Sequence, residues 1–262
     1  MFELQFFLIG IIQGATEFLP ISSSGHLVLF AQLTNWEDQG LFTDIAVHFG
    51  TLFAVMIYLR KDIYYFLTNI FQFKIFEDQI IFKIILATLP AIILGYFIYD
   101  YVILYFRSIQ LIALSSIIFA IILFIADKVK IESKSWNKIT YLEALIVGLF
   151  QVLAFIPGAS RAGVTITGAR FLGYDRFNSA RFSMILSIPV ILASMTLSLI
   201  KIFEEDFIEV NFYQPFFASI VAFVTALLSI LFLMRFIRQF DFNIFVIYRV
   251  LLGVFIILFG LI

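Results

Sequence analysis

The sequence predicts an all-α integral membrane protein with six transmembrane helices and two re-entrant helical hairpins, arranged as an inverted-topology repeat. Of its 262 residues 63% are apolar and 13% charged, with 35 Phe and a mean hydropathy of +1.07, more apolar surface than a soluble core of this size can bury. The apolar residues gather into stretches long enough to cross a bilayer. Two stretches break the pattern, QGATEFLPISSSGH at 13–26 and QVLAFIPGASRAGVT at 151–165. They place Glu, His, Arg and hydroxyls at membrane depth, where such groups react or carry something across.

Six full spans are expected at 45–59, 84–99, 109–126, 182–200, 216–234 and 244–262, each extended at its ends by Tyr, Phe or Thr. The segments 4–12, 27–33, 139–156 and 162–174 are shorter or broken by Pro, Gly, Ser and charge. Each pair fits a re-entrant hairpin with one polar motif at its tip. There is no Cys, which excludes disulfides and thiolate metal sites. Met1 to Gly10 lacks a basic region followed by a small-residue cleavage site, so it is expected to stay in the mature chain.

Orientation follows from the basic residues. With 45–59 running inward, the loops 60–83, 127–138, 175–181 and 235–243 carry 12 of the 17 Lys and Arg, while the opposite loops carry Arg107 and Lys201. These four loops are therefore expected in the cytoplasm. The opposite loops hold Glu37, Asp38, Asp100, Glu204, Glu205, Asp206 and Glu209. The first hairpin then enters from outside, the second from the cytoplasm, and both termini lie outside. Three spans follow each hairpin, so repeats of about 1–126 and 139–262 are inverted relative to each other within a single membrane domain. Gly10, Gln13 and Pro20 echo Gly148, Gln151 and Pro157. Inverted halves bring the two tips together near the bilayer midplane as one composite site.

In the first tip Pro20 and Gly25 bracket Ser22, Ser23 and Ser24; in the second, Pro157, Gly158 and Gly163 bracket Ser160 and Arg161, with Thr165 following. Such turns leave backbone N–H groups free at the start of a helix, which suits an anion, and the guanidinium fork of Arg161 matches phosphate oxygens. Small residues also let membrane helices pack closely, which explains serines but not an arginine. Glu17 lies one turn after Gln13 on the same helix face. A carboxylate facing a phosphate implies a bridging divalent cation or proton transfer; the bland alternative is a Glu17–Arg161 ion pair joining the hairpins. His26 close to the serines is a minimal activated-nucleophile arrangement. His48 reads as a structural histidine or a substrate contact, Asp44 as a helix start, and Arg249 as an intramembrane arginine paired with a carbonyl or an acid. The Phe excess reads mostly as lipid-facing and core residues, with some of it available to line a groove for a long isoprenoid or acyl chain.

At these residues the chain resembles the bacterial undecaprenyl-diphosphate phosphatase family, also called the bacitracin-resistance protein family. The resemblance covers essentially the full length. It rests on TEFLPISSSGHL at 16–27, PGASRAGVT at 157–165 and RFSMILSIP at 181–189. It implies a bacterial plasma-membrane enzyme of cell-wall synthesis that hydrolyses the terminal phosphate of an isoprenyl diphosphate lipid with a divalent cation, Mg2+ or Ca2+. Glu17, Ser23, His26, Ser160, Arg161 and Thr165 occupy positions this family uses for activity. Two residues depart from the family's pattern: Gln13 stands where a Glu is common, and Ala162 where Ser often follows the motif Arg. Gln13 offers a cation only a neutral carbonyl, which predicts weaker cation binding or a site charged by Glu17 and the diphosphate.

The expected roles are catalytic for Glu17, Ser23, His26 and Arg161, with Ser23 as nucleophile and His26 as base, water or His26 itself remaining alternatives. Ser22, Ser24, Gly25, Gly158, Ser160 and Thr165 would bind substrate, and Glu17 with Gln13 would hold the metal. The site is expected to open outward. The rival reading is a transporter or flippase for lipid phosphate or phosphate, since inverted repeats around a midplane anion site are a transporter layout. A carrier needs no nucleophile. No nucleic-acid partner is expected, and a monomer or a homodimer both fit.

Overall fold

The computed structural model describes residues 2–34, 36, 39–72, 79–105, 108–132, 134–204 and 212–259. Among them eleven α-helices and no strand occur: α1 (Phe2–Thr16), α2 (Ser23–Thr34), α3 (Gly40–Tyr58), α4 (Arg60–Phe71), α5 (Ile80–Tyr105), α6 (Ile109–Asp127), α7 (Tyr141–Val152), α8 (Arg161–Phe171), α9 (Arg176–Glu204), α10 (Tyr213–Phe236) and α11 (Asn243–Phe259). Short 3-10 turns precede α7 at Trp136–Lys138 and follow it at Leu153–Phe155. The loop charges Glu37, Asp38, Lys74, Arg107, Glu205, Asp206 and Glu209 lie outside the described residues, as does the end of the last span at 260–262; so do the side chains of Asp100 and Glu204.

Five helices, α3, α5, α6, α9 and α10, are long and apolar enough to cross a membrane, which makes this a multi-pass membrane protein. The sixth expected span, α11, is 17 residues long as described and counts with the shorter apolar helices, as do α1 and the α7 arm. The segment 60–83 was expected as a loop, yet α4 fills its first half. Its inward residues Asp62, Ile63, Phe66 and Asn69 recur at helical spacing: Ile63 and Phe66 pack on the core, and Asp62 takes Arg181 Nη2 at 2.8 and 2.9 Å.

The long helices divide their faces by residue size. On α10, Ala218, Ala222, Ala226 and Ile230 are buried, whereas Phe216, Ile220, Val224 and Leu228 on the opposite stripe are exposed. Small residues let helices approach where apolar burial gives no advantage over lipid. Gly10 and Gly148 show how tight the approach is. A Cβ at Gly10 of α1 would lie 2.7 Å from the Ala218 carbonyl oxygen of α10, and one at Gly148 of α7 would lie 2.5 Å from the Ala87 carbonyl oxygen of α5. The packing pairs correspond: α1 lies on α10 as α7 lies on α5, and α3 meets α10 as α9 meets α5.

The correspondence reaches the tips. Each hairpin turns at a serine with positive φ, Ser22 at 73° and Ser160 at 71°, a conformation that costs a non-glycine residue about 1–3 kcal/mol and gathers at functional sites. Each serine then caps the helix it opens: Ser22 Oγ accepts from Gly25 N–H at 3.4 Å, and Ser160 Oγ from Gly163 N–H at 3.1 Å. Arg249 of α11, fully buried, locks the tips together. Its Nη1 donates to the Pro20 carbonyl of the first tip at 3.3 Å, and its Nη2 donates to the Gly158 and Ala159 carbonyls of the second at 2.8 and 3.0 Å. This is the carbonyl pairing expected for Arg249.

A second buried cluster closes one end of the bundle. Asp127 at the end of α6 takes Arg170 Nε at 3.1 Å, Arg176 in bidentate fashion at 2.9 Å, and the Phe242 N–H at 3.3 Å. Beside it, Lys134 lies 2.8 Å from Glu132 and 3.0 Å from Glu143, and these hydrogen bonds hold its ammonium above the usual lysine range.

Two stability changes are expected in detergent-solubilised protein. Gly148→Ala forces a methyl against the Ala87 carbonyl and lowers the thermal unfolding midpoint, at a cost of roughly 1–3 kcal/mol for such overpacking. Leu228→Ala on the exposed stripe leaves the midpoint nearly unchanged. Arg249→Met keeps the apolar stem but leaves three carbonyls unpaired, each worth about 1–3 kcal/mol, so its midpoint falls further than that of Gly148→Ala. An unchanged midpoint for Arg249→Met would remove the clamp from this account.

Candidate functional site

Where the two tips meet, a cavity of about 240 Å³ opens between hairpins and helices. The first tip contributes Glu17, Ser22, Ser23 and Ser24; the second contributes Ser160 and Arg161; α3 adds His48, and α9 adds Val190, Ile191 and Ser194. One carboxylate, one guanidinium, four serine hydroxyls on the tips and an imidazole therefore share a single polar pocket.

Glu17 is the hub. It follows α1 directly, its N–H bonded to the Gln13 carbonyl at 3.0 Å, so its side chain continues the face of Gln13. Both carboxylate oxygens are engaged: Oε1 takes Arg161 Nη2 at 2.6 Å, while Oε2 takes Gln13 Nε2 at 2.9 Å and Ser23 Oγ at 3.0 Å. The ion pair is 7% exposed on the Glu17 side and 13% on the Arg161 side. A buried charge left unpaired is costly, so each partner fixes the other. The bland reading of these two residues as an ion pair between hairpins is thus correct as geometry. The pair also stands on the wall of the cavity.

Arg161 opens α8, held from behind. Its Nη1 donates to the Ser183 carbonyl at 3.3 Å, and its guanidinium lies 5.7 Å from the Phe18 ring centre. Thr165, fully buried one turn later, bonds the Arg161 carbonyl at 2.9 Å and Ser183 Oγ at 2.6 Å. Thr165 therefore supports the arginine from beneath. Gly158, at a φ of 89°, makes the turn before it and offers its carbonyl to Arg249. Gly25 is buried in α2, its N–H turned back to Ser22. Neither glycine lines the cavity, so the expected glycine contacts with substrate reduce to shaping the two turns.

His26 stands apart from the expected arrangement with Ser23. Its Nδ1 lies 2.6 Å from the Ser22 carbonyl, which makes Nδ1 the donor, and its Nε2 then accepts from Tyr248 Oη at 2.6 Å. The two rings lie nearly parallel. With both nitrogens engaged, His26 ties the strained Ser22 turn to α11, and Ser23 donates its hydrogen bond to Glu17 instead. His48, half-buried, takes the place on the cavity wall instead. Its Nδ1–H donates to the Asp44 carbonyl at 2.7 Å, which turns Nε2 toward Glu17 Oε2, 3.9 Å away. Sequence reasoning left His48 as structural or substrate-contacting and missed Ser183, Ser194 and Tyr248. The first is identified by its register on α3. The others carry no signal beyond RFSMILSIP and the neighbour of Arg249.

Gln13 is fully buried and presents its amide nitrogen to Glu17, while its Oε1 has no hydrogen-bond partner. As placed, Gln13 orients the carboxylate. Rotation of the amide would bring a neutral oxygen to the same point. With the amide so turned, Glu17, that oxygen and the serine hydroxyls would offer only oxygen donors, the kind that suits a hard divalent cation.

Comparison with known proteins shows the family. A profile described as "Bacitracin resistance protein BacA" matches residues 6–255. A protein named "Undecaprenyl-diphosphatase" from Saccharophagus degradans is 42% identical over 249 residues, covering 94% of this chain and 93% of that protein. Proteins of the same name from Campylobacter curvus and Aliivibrio salmonicida are 39% and 40% identical, with 95% and 97% of this chain and 95% and 96% of theirs covered. With a profile match over nearly its whole length and relatives this similar, the chain belongs to the bacitracin resistance protein BacA family.

Proposed function

We propose that this protein is a membrane phosphatase that hydrolyses undecaprenyl diphosphate to undecaprenyl phosphate and inorganic phosphate, recycling a lipid carrier for cell-wall synthesis. The observation that carries the reading is Ser23 Oγ hydrogen-bonded to Glu17, which is itself paired with Arg161, all three on one cavity wall. A carrier needs an anion site; it has no use for a hydroxyl poised on a carboxylate. The relatives' shared name, Undecaprenyl-diphosphatase, supports the substrate.

The diphosphate enters between the tips, and its oxygens take over the Arg161 guanidinium from Glu17. Arg161 then neutralises charge on the transferring phosphoryl group, with the first N–H groups of α8 beside it. Ser23 Oγ attacks the terminal phosphorus as its proton passes to Glu17 Oε2. The bond from phosphorus to the bridging oxygen breaks, and that oxygen keeps the electron pair as prenyl monophosphate leaves. Water then attacks the phosphoserine, Ser23 recovers its proton, and inorganic phosphate is released. His26 acts as a positioning residue for the Ser22–Ser23 turn. Glu17, with the Gln13 oxygen and the substrate oxygens, would hold Mg2+ or Ca2+, which when bound lowers the charge that the two phosphates present to the carboxylate.

The two halves, about 1–126 and 139–262, form inverted repeats, a reading supported by the matching pairs α1–α10 with α7–α5 and by the twin strained serines. The concentration of Lys and Arg in the loops at 60–83, 127–138, 175–181 and 235–243 supports a site opening to the outer side, with both termini outside. A homodimer is compatible with the exposed apolar faces of α10 and α11.

Purified protein in detergent cannot transport, so phosphate release there separates enzyme from carrier. Release from farnesyl or undecaprenyl diphosphate is expected, and Arg161→Ala should lower kcat/KM by about 10²–10³-fold, the loss typical of one transition-state donor. No release by the native protein would return the transporter reading. Rapid quench with terminally labelled substrate should trap label on Ser23; Ser23→Ala with full activity would leave direct attack by water. Gln13→Glu is expected to lower the Mg2+ concentration giving half-maximal activity, and identical cation dependence in both proteins would take Gln13 out of the cation site.

A further inference from the structure

The polar cavity continues along α9. Val190 and Ser194 line it, and the same two residues line an apolar groove of about 420 Å³ between α5 and α9. Beyond them the α9 wall continues through Ala193, Leu197 and Ile200, one helical face at spacings of three and four. Opposite stand Ala91, Ile92, Gly95 and Tyr96 of α5. The inner wall is Phe155, which directly follows the cavity-lining Ala154; its ring lies against Gly95, where a Cβ would come within 2.7 Å of Cζ. Each long wall starts one residue after a proline inside its helix, Pro90 in α5 and Pro189 in α9, where the helix lacks a hydrogen bond. A larger groove of about 510 Å³, between α3, α9 and α10, shares no lining residue with the polar cavity.

We infer that the α5–α9 groove is the tail subsite of the enzyme, taking the isoprene units nearest the diphosphate, with Phe155 on Gly95 as the wall that gauges chain width. The assignment rests on the phosphatase reading and deepens it. Substrate is an amphiphile whose head and first apolar units are covalently joined, so its tail must leave the polar cavity through a contiguous apolar path. Val190 and Ser194 mark that path. Affinity then rises with each isoprene unit that reaches the groove and stops rising when the groove is full, while the rest of a long chain lies in the bilayer.

Kinetics of the full chain in detergent with dimethylallyl, geranyl, farnesyl and geranylgeranyl diphosphate test this. Native KM should fall at least tenfold from dimethylallyl to farnesyl and then level. Ala193→Phe, which fills the groove, should raise KM for farnesyl diphosphate at least tenfold and leave the thermal unfolding midpoint as in the native protein, the latter reporting an intact fold. Ala46→Phe, in the α3–α10 groove, should change neither. An unchanged farnesyl KM in Ala193→Phe, or a raised one in Ala46→Phe, would overturn the assignment. Native protein that releases no phosphate from any of these diphosphates would instead overturn the phosphatase reading. Photolabelling of the native protein with a benzophenone-tailed farnesyl diphosphate analogue needs binding alone. Label confined to 92–96 and 193–200 supports the groove, whereas label at 42–49 and 213–219, or spread over the lipid-facing surface as for ordinary bilayer lipid, contradicts it.

Discussion

The Glu17–Arg161 ion pair is the constraint on which the rest of the site depends. One partner follows α1 and the other opens α8, so their 2.6 Å contact joins hairpins that lie 144 residues apart in sequence. Removing either charge would strand the other away from water, a penalty far larger than any surface pair supplies. That mutual need holds the tips in register. It also keeps an arginine fork and a carboxylate beside Ser23 before any substrate arrives, a preorganised electrostatic site of the kind that supplies much of enzymatic rate enhancement.

Around the pair, the fold supplies rigidity through backbone carbonyls rather than further charges. Arg249 holds Pro20, Gly158 and Ala159, His26 holds Ser22, and Ser183 holds Arg161. Hairpin tips at membrane depth carry turns whose carbonyls lack helical partners, and an unsatisfied carbonyl there is expensive. An intramembrane arginine from α11 answers that need at both tips at once. The same economy explains the serines at positive φ: their strain is offset by caps and by the clamp, and it sets Ser23 and Arg161 at the mouths of their helices.

Much of this was legible from residues alone. Apolar run lengths gave the long helices and the paired polar stretches gave the two tips, because hydropathy and Pro/Gly turns are local signals, while the meeting of the tips was expected from loop charges and the inverted order of the halves. Glu17, Ser23 and Arg161 announced themselves as polar groups at membrane depth. What the sequence did not reveal was which group each would touch. Ser23 and His26 are three residues apart, yet that spacing in α2 sends His26 toward Tyr248, 222 residues away, and leaves Ser23 to Glu17. His48 looked structural because a histidine early in an apolar helix usually is; only the crossing of α3 behind the first tip turns it into the cavity. Helix α4 went unseen because its charges resemble a loop until Asp62 and Arg181 are seen to meet.

If the two tips form one catalytic unit, their charges must act together. A double-mutant cycle on kcat/KM with Glu17→Gln, Arg161→Ala and the double variant, in detergent with farnesyl diphosphate, measures that directly. The account predicts strong non-additivity, with the double variant no worse than the weaker single variant by more than a few-fold. Losses that multiply, as for independent sites, would contradict it.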